Sequence, residues 1–385
     1  MDPISVTQDL IRCPSETVAS NHAVSELLFG LLKQLGFEVK SVEYQDLNNR
    51  PKTSLSARLA GTGNGRGGIA FFCHSDVVSS DGWQVPQGYT AHQAAISDGK
   101  IWGRGACDMK GPIAAVLSAI HGMIDQPRTS PVYVFITGDE ECGMRGAELL
   151  VKQCPFYRQA VAGGAVGIIS EPTSLQVVST HKGGCRFRVS ARGIAAHSST
   201  AEGVNANWQL IPWLQFVHAV QEEIEHDPSL RNENFSPPTL CPNIILTNNP
   251  CEGNITVSLA QCDLFLRTMP DTQWRRLVDR LQDQARAMGL EVQETTNLPP
   301  MATAPDRPFV QQGLAICQQE KPLAASYATD GCCLSDFSDL IVLGPGNIQQ
   351  AHRCDEWISV QQLTQAVELY RQFIAVYALN PQQEE

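Results

Sequence analysis

A chain of 385 residues, 43% of them hydrophobic, is long enough for one large core and a smaller second domain without covalent staples. Its formal net charge of -12 excludes a phosphate-backbone partner, because nucleic-acid binding needs clustered Lys and Arg that the sequence lacks. No apolar run reaches the length of a membrane span, and 13 cysteines without a Cys-x-x-Cys pair suit a reducing compartment. A cytoplasmic protein with no signal, membrane anchor or nucleic-acid partner is expected.

In chain order, Val24 to Leu35 has helical spacing and ends at Gly36, and Ile69 to Cys73 is an apolar run entered through a glycine-rich turn at 61–68. Ile113 to Met123 follows Gly111 and Pro112 as an apolar helix, and Val132 to Thr137 and Val166 to Ser170 have the pattern of buried strands. This alternation predicts an α/β fold, a mostly parallel sheet covered by helices. From about Val178 the pattern changes: strand Cys185 to Arg192, helix Asn205 to Glu225, strands Asn243 to Thr247 and Ile255 to Arg267, helix Thr272 to Met288, strand Leu290 to Thr295. The order βαββαβ predicts a ferredoxin-like lid inserted at 178–294. A strand at Leu340 to Leu343 and a helix at Val360 to Val376 return to the first style, so the catalytic domain is expected to be discontinuous, 1–177 and 295–385. The polar tail Pro381 to Glu385 is the one low-complexity segment.

Several metal-binding side chains follow these strands. Ile69 to Cys73 leads to His74-Ser75-Asp76, Val132 to Thr137 to Asp139-Glu140-Glu141, Val166 to Ser170 to Glu171, and Leu340 to Leu343 to His352. In an open parallel sheet the carboxyl ends of strands form the ligand crevice, so these groups converge. Asp108, directly before a helix, is a fifth candidate. Imidazole and carboxylate suit Zn2+, with Co2+ or Mn2+ in its place, and the surplus over one tetrahedral site suggests two divalent ions sharing a carboxylate roughly 3.5 to 4 Å apart. Asp76 is expected to accept the other N–H of His74 and fix its tautomer. Of the neighbours Glu140 and Glu141, one can bind metal while the other serves as general base. His121, His181, His218 and His226 are taken as ordinary polar residues, and Lys182 as solvated.

The segments His74-Ser75-Asp76-Val77-Val78, Gly103-Arg104-Gly105 with Asp108-Met109-Lys110-Gly111, and Asp139-Glu140-Glu141 resemble the metal motifs of the acetylornithine deacetylase and succinyl-diaminopimelate desuccinylase family of co-catalytic metallohydrolases. Glu171-Pro172-Thr173 with His181-Lys182-Gly183, and Gly344-Pro345-Gly346 leading to His352 with Asp355-Glu356, resemble the acetylornithine deacetylase branch most closely. The resemblance implies that His74 and Glu171 hold one ion, Glu141 and His352 the other, and Asp108 both, with Glu140 as base and a cis peptide between Asp108 and Met109. It further implies a lid histidine, His197, that reaches the active site of a partner in a homodimer paired through the lids, and substrate contacts from Asn254 and Arg267. The expected activity is removal of the acetyl group from an N-acetyl amino acid, N2-acetyl-L-ornithine first, with a succinylated or other acyl-amino acid or a dipeptide as alternative. A catalytically silent binding protein is the reading from another class. Thr329-Asp330-Gly331 stands where that branch shows Thr-Glu-Ala, and Val257 where a proline is frequent, which bears on the side-chain pocket.

Overall fold

The computed structural model describes residues 1–63 and 65–379; the polar tail Pro381 to Glu385 lies outside the described residues. The chain divides into two compact units, the first formed by Met1–Thr180, Ala302–Leu323 and the chain from Thr329 onward, the second by His181–Met301 and Ala324–Ala328.

In the first unit the strands Val132–Thr137, Ile69–His74, Val166–Ile169 and Leu340–Val342 lie side by side and parallel. All are buried from end to end, which is why they read as continuous apolar runs. The sheet is extended antiparallel by Pro51–Leu59 and Glu38–Gln45 on one side and by Val178–His181 on the other. The sequence reading missed the hairpin Glu38–Gln45/Pro51–Leu59, because its inner strand carries Lys52, Thr53, Ser54 and Ser56. These polar residues are nevertheless buried. Lys52 is accommodated by donating its Nζ hydrogens to the carbonyls of Thr17 at 3.0 Å and Ala19 at 2.7 Å.

The helix Gly111–His121 is buried on every side, as its small and apolar composition demands, and packs against the amphipathic helix Val360–Ile374. Helix His22–Gln34 buries Val24, Leu28 and Leu32 in the same core.

The second unit is a four-stranded antiparallel sheet in the order Asn243–Asn249, Leu259–Leu266, Gly184–Arg192, Glu291–Leu298, with helices Asn207–His226 and Trp274–Ala287. This is the βαββαβ topology expected. Alternate residues Cys185, Phe187, Val189 and Ala191 join Cys262 and Leu264 in a core with Trp213 and Leu281 from the helices. The boundaries fall elsewhere than at 178 and 294. Val178 pairs with Val342 of the first sheet, and the last lid strand continues past a bulge between Glu294 and Thr296 to Leu298. Residues 324–328 also join the second unit.

The parallel register aligns His74 with Thr137, and Val342 with Ile169 and Phe72, so all four strands end at the same edge of the sheet, the second pair two residues before the first. Gly344 shows how closely they pack: a Cβ there would land on the Ser170 carbonyl oxygen and lie 2.6 Å from that of Glu171. Gly344→Ala is therefore expected to lower the unfolding free energy by about 1–3 kcal/mol, read as a lower midpoint in urea.

Candidate metal centre

His74 closes the central strand with both ring nitrogens facing oxygens. Nδ1 lies 2.9 Å from the Asp76 backbone carbonyl, to which it donates, while Nε2 lies 2.9 Å from Asp108 Oδ1 and 3.4 Å from Glu171 Oε1. With its proton on Nδ1, the imidazole turns a lone pair toward two carboxylates, an arrangement that needs a proton or a cation between them. The expectation for Asp76 is corrected here. Its carboxylate is 3.6 Å from Nδ1 and instead accepts the backbone N–H groups of Glu140 at 3.1 Å and Glu141 at 3.2 Å. Asp76 thus fixes the tautomer through its backbone and the Glu140–Glu141 turn through its side chain.

Asp108 sits in the irregular turn Ala106–Lys110, and the peptide to Met109 is cis. Its second oxygen, Oδ2, is 3.5 Å from His352 Nε2, which is itself 2.8 Å from Glu141 Oε2. One donor atom each from His74, Asp108 and Glu141 falls within 4.8 Å of the others. The five residues His74, Asp108, Glu141, Glu171 and His352 are therefore joined by short contacts. Glu141 Oε1 is buried and without a hydrogen-bond partner among the described residues.

Four carboxylates, Asp108, Glu140, Glu141 and Glu171, face two imidazoles. Burial, then repulsion from Glu171, Glu141 and Asp330, lifts Glu140 well above the usual carboxylate range against the attraction of His74. Burial and the Asp108 charge push Glu141 up to about 7. Burial works against a charged His74, yet the Glu171 charge, the hydrogen bond to Asp108 and the nearby Asp76 carboxylate carry its pKa well above ordinary. The hydrogen bond to Glu141 pushes His352 up to about 9. Excess negative charge in a largely buried site is stabilised by cations. The donor set, the acceptor-to-acceptor geometry and the orphaned Glu141 oxygen all fit divalent metal.

Three supports were not anticipated from the sequence. Asp139 accepts from Gly146 N at 2.6 Å and Tyr44 OH at 3.0 Å and so pins the Glu140–Cys142 turn. Asp330, buried and held by Thr137 Oγ1 at 2.6 Å, leaves its Oδ1 without a partner among the described residues, and burial raises it to about 7. Glu356 is buried beneath the Asp108 turn. Only the strand-end rule could have pointed to any of these, since Thr137 ends a strand and Asp139 follows it.

The remaining candidates lie in the second unit. His197 and Asn254 are exposed neighbours there: His197 pairs with Ile255 in a β-bridge, Asn254 O accepts from Ser198 N at 2.9 Å, and Ser199 Oγ is 2.7 Å from His197 Nδ1. The Arg267 guanidinium stacks over Phe265, 5.0 Å from the ring centroid. Lys182 is not solvated: it is buried, and its ammonium donates to the carbonyls of Pro237 at 2.8 Å and Thr239 at 2.7 Å.

Residues 70–376 match the model of peptidase family M20/M25/M40, and the chain belongs to that family of hydrolases. It is 29% identical to the acetylornithine deacetylase of Proteus mirabilis, across 98% of this chain and 97% of that protein. It is 25% identical to that of Buchnera aphidicola, across 96% and 97%. Among solved structures it resembles an M20 metallo-carboxypeptidase from Sulfolobus solfataricus, with a TM-score of 0.72 at 16% identity over 98% of this chain and 99% of that one. It also resembles a dinuclear metal binding M20 peptidase from Bacillus subtilis, with a TM-score of 0.64 at 13% identity over 96% and 95%.

A raised histidine pKa stabilises the fold below the ordinary imidazole pKa and ceases to do so as pH climbs through the raised value. In metal-free protein, the contribution of His352 should accordingly be complete near pH 6 and lost through about 9, followed by NMR of its ring. Added Zn2+ should abolish the titration by holding the ring neutral.

Proposed function

We propose that the chain is a two-metal amidohydrolase that removes the acetyl group from an N-acetyl amino acid, N2-acetyl-L-ornithine foremost, releasing acetate and L-ornithine. Asp108 carries this reading: its two oxygens face one imidazole each, His74 at 2.9 Å and His352 at 3.5 Å, as suits a carboxylate shared by two cations. The name common to the relatives from Proteus and Buchnera supports the substrate class, and through it a place in arginine synthesis.

In this reading His74 and Glu171 would hold one ion, Glu141 and His352 the other, and Asp108 both, with Zn2+, Co2+ or Mn2+ as suitable ions. Divalent ions held there would supply Lewis-acid polarisation of the scissile carbonyl and would make the attacking water more acidic. Glu140, its backbone held by Asp76, takes the proton from that water. As the carbon–nitrogen bond breaks, Glu140 delivers the proton to the departing amine. His197 donates a hydrogen bond to the tetrahedral oxyanion, Arg267 receives the α-carboxylate through its two-pronged guanidinium, and Asn254 contacts the acyl-amino acid.

The second unit serves as lid and dimerisation unit, with His197 acting in the site of a partner copy. Its strand Asn243–Asn249 is exposed along its whole length and carries Ile244, Ile245 and Leu246, with Trp208 exposed on the helix. An open apolar strand edge is a template for pairing with another chain. A cytoplasmic location is supported by 13 free cysteines. No helix among the described residues is long and apolar enough to cross a membrane.

A panel of N-acetyl, N-succinyl and dipeptide substrates on metal-loaded protein tests the substrate, and a dipeptide preferred over N2-acetyl-L-ornithine would reject it. Glu140→Gln should keep the metal content and lower kcat/KM by about two to four orders of magnitude. Loss of metal in that variant would mean that the roles of Glu140 and Glu141 are reversed. A mixed dimer of one His197→Ala chain and one Glu140→Gln chain should retain about half the wild-type activity, because both defects then fall on one site. Near-complete inactivity would place His197 in its own chain's site.

A further inference from the structure

Glu356 lies four residues after His352 and is 1% exposed. It opens into the strand Trp357–Ser359, which pairs antiparallel with Lys100–Trp102, Trp357 opposite Trp102. One step further, Gly103 N donates to the Glu356 carbonyl at 3.1 Å. This ladder delivers the Glu356 side chain beneath the turn that follows Gly103, and four donors converge on it. Arg104 Nη1 at 2.7 Å and Gly105 N at 2.9 Å reach Oε2, while Cys107 N at 2.8 Å and Asp108 N at 3.0 Å reach Oε1.

The turn has little regular hydrogen bonding of its own. Gly105 has φ 78°, and Asp108 and Met109 lie outside helical dihedrals. Three of its buried amides are satisfied by one carboxylate, and each would be costly to leave unpaired. Because Glu356 shares a segment with His352 and grips the backbone of Asp108, it sets those two side chains in register.

We propose that Glu356 is a positioning residue of the metal centre, holding the 104–108 turn so that Asp108 faces His74 with one oxygen and His352 with the other. The inference rests on the two-ion reading above. It differs from a simple ion-pair role for Arg104–Glu356, in which the carboxylate would only neutralise a buried guanidinium. An amide at position 356 would turn N–H against backbone N–H and displace the turn.

The test uses the full chain loaded with Co2+, followed by titration and by visible d–d absorption, beside melting of the metal-free protein. Wild type is expected to take up two equivalents. Glu356→Gln should weaken one of them about 10- to 100-fold and alter the absorption spectrum. The double variant Arg104→Met/Glu356→Gln removes the stranded guanidinium, so its metal-free melting temperature should return toward wild type while the weakened cobalt binding persists. If the single variant does not fold, the double variant carries the test. Uptake of fewer than two equivalents by wild type would overturn the two-ion reading itself. Two normal equivalents in wild type, with normal cobalt binding and spectrum in Glu356→Gln or restored binding in the double variant, would leave that reading standing and overturn the role given to Glu356.

Discussion

Carboxylates buried beside one another repel and lose hydration, and the first unit concentrates such groups at the ends of its central strands. Asp108, Glu140, Glu141, Glu171 and Asp330 share the neighbourhood of His74. Proteins tolerate this where cations or protons bind, and they must then hold the groups rigidly, since relaxation would let each carboxylate turn away to water. Much of the surrounding structure does that holding. The parallel register brings the strand ends to one edge of the sheet, Gly344 lets two exits touch, Asp76 and Asp139 pin the Glu140–Cys142 turn, and Glu356 pins the Asp108 turn.

The same constraint divides the centre into unequal halves. The His74 side chain is 2% exposed and sits among Asp108 and Glu171, whereas that of His352 is 55% exposed. The tight half is built on regular strands with hydrogen bonds in ladders on both sides. The open half depends on a loop residue with φ 61° and on its contact with Glu141.

The sequence made the parallel strands legible because they are buried on both faces, and the side chains after them could be read off by position. His74, Glu141, Glu171 and His352 belong to that class. Asp108 was found through its motif, since it ends no strand. What stayed hidden depends on which backbone group a side chain meets. Asp76 was expected to orient His74 with its carboxylate, and it does so with its carbonyl. Lys182 and Lys52 look like surface residues until the carbonyls that receive them are known. The second unit was legible from the alternation along Cys185 to Arg192, but its last strand was cut short at Thr295 because Thr296 and Asn297 are polar and follow a bulge. Glu356 stands in the motif around His352, but nothing local shows what it holds: its partners lie 248 to 252 positions away.

The strand Leu340–Val342 pairs with Val166–Ile169 on one side and with Val178 on the other. During synthesis on the ribosome the first half of the sheet therefore waits, one edge unpaired, until the chain has grown past residue 342. In that interval it presents apolar surface and open backbone groups to its surroundings. The βαββαβ unit between them closes its own sheet from local sequence and needs no such delay. Until that strand arrives the open edge can pair with another chain, which exposes the nascent chain to aggregation. Truncated transcripts and premature stops before residue 340 would consequently yield an unfinished sheet and not a weakened enzyme.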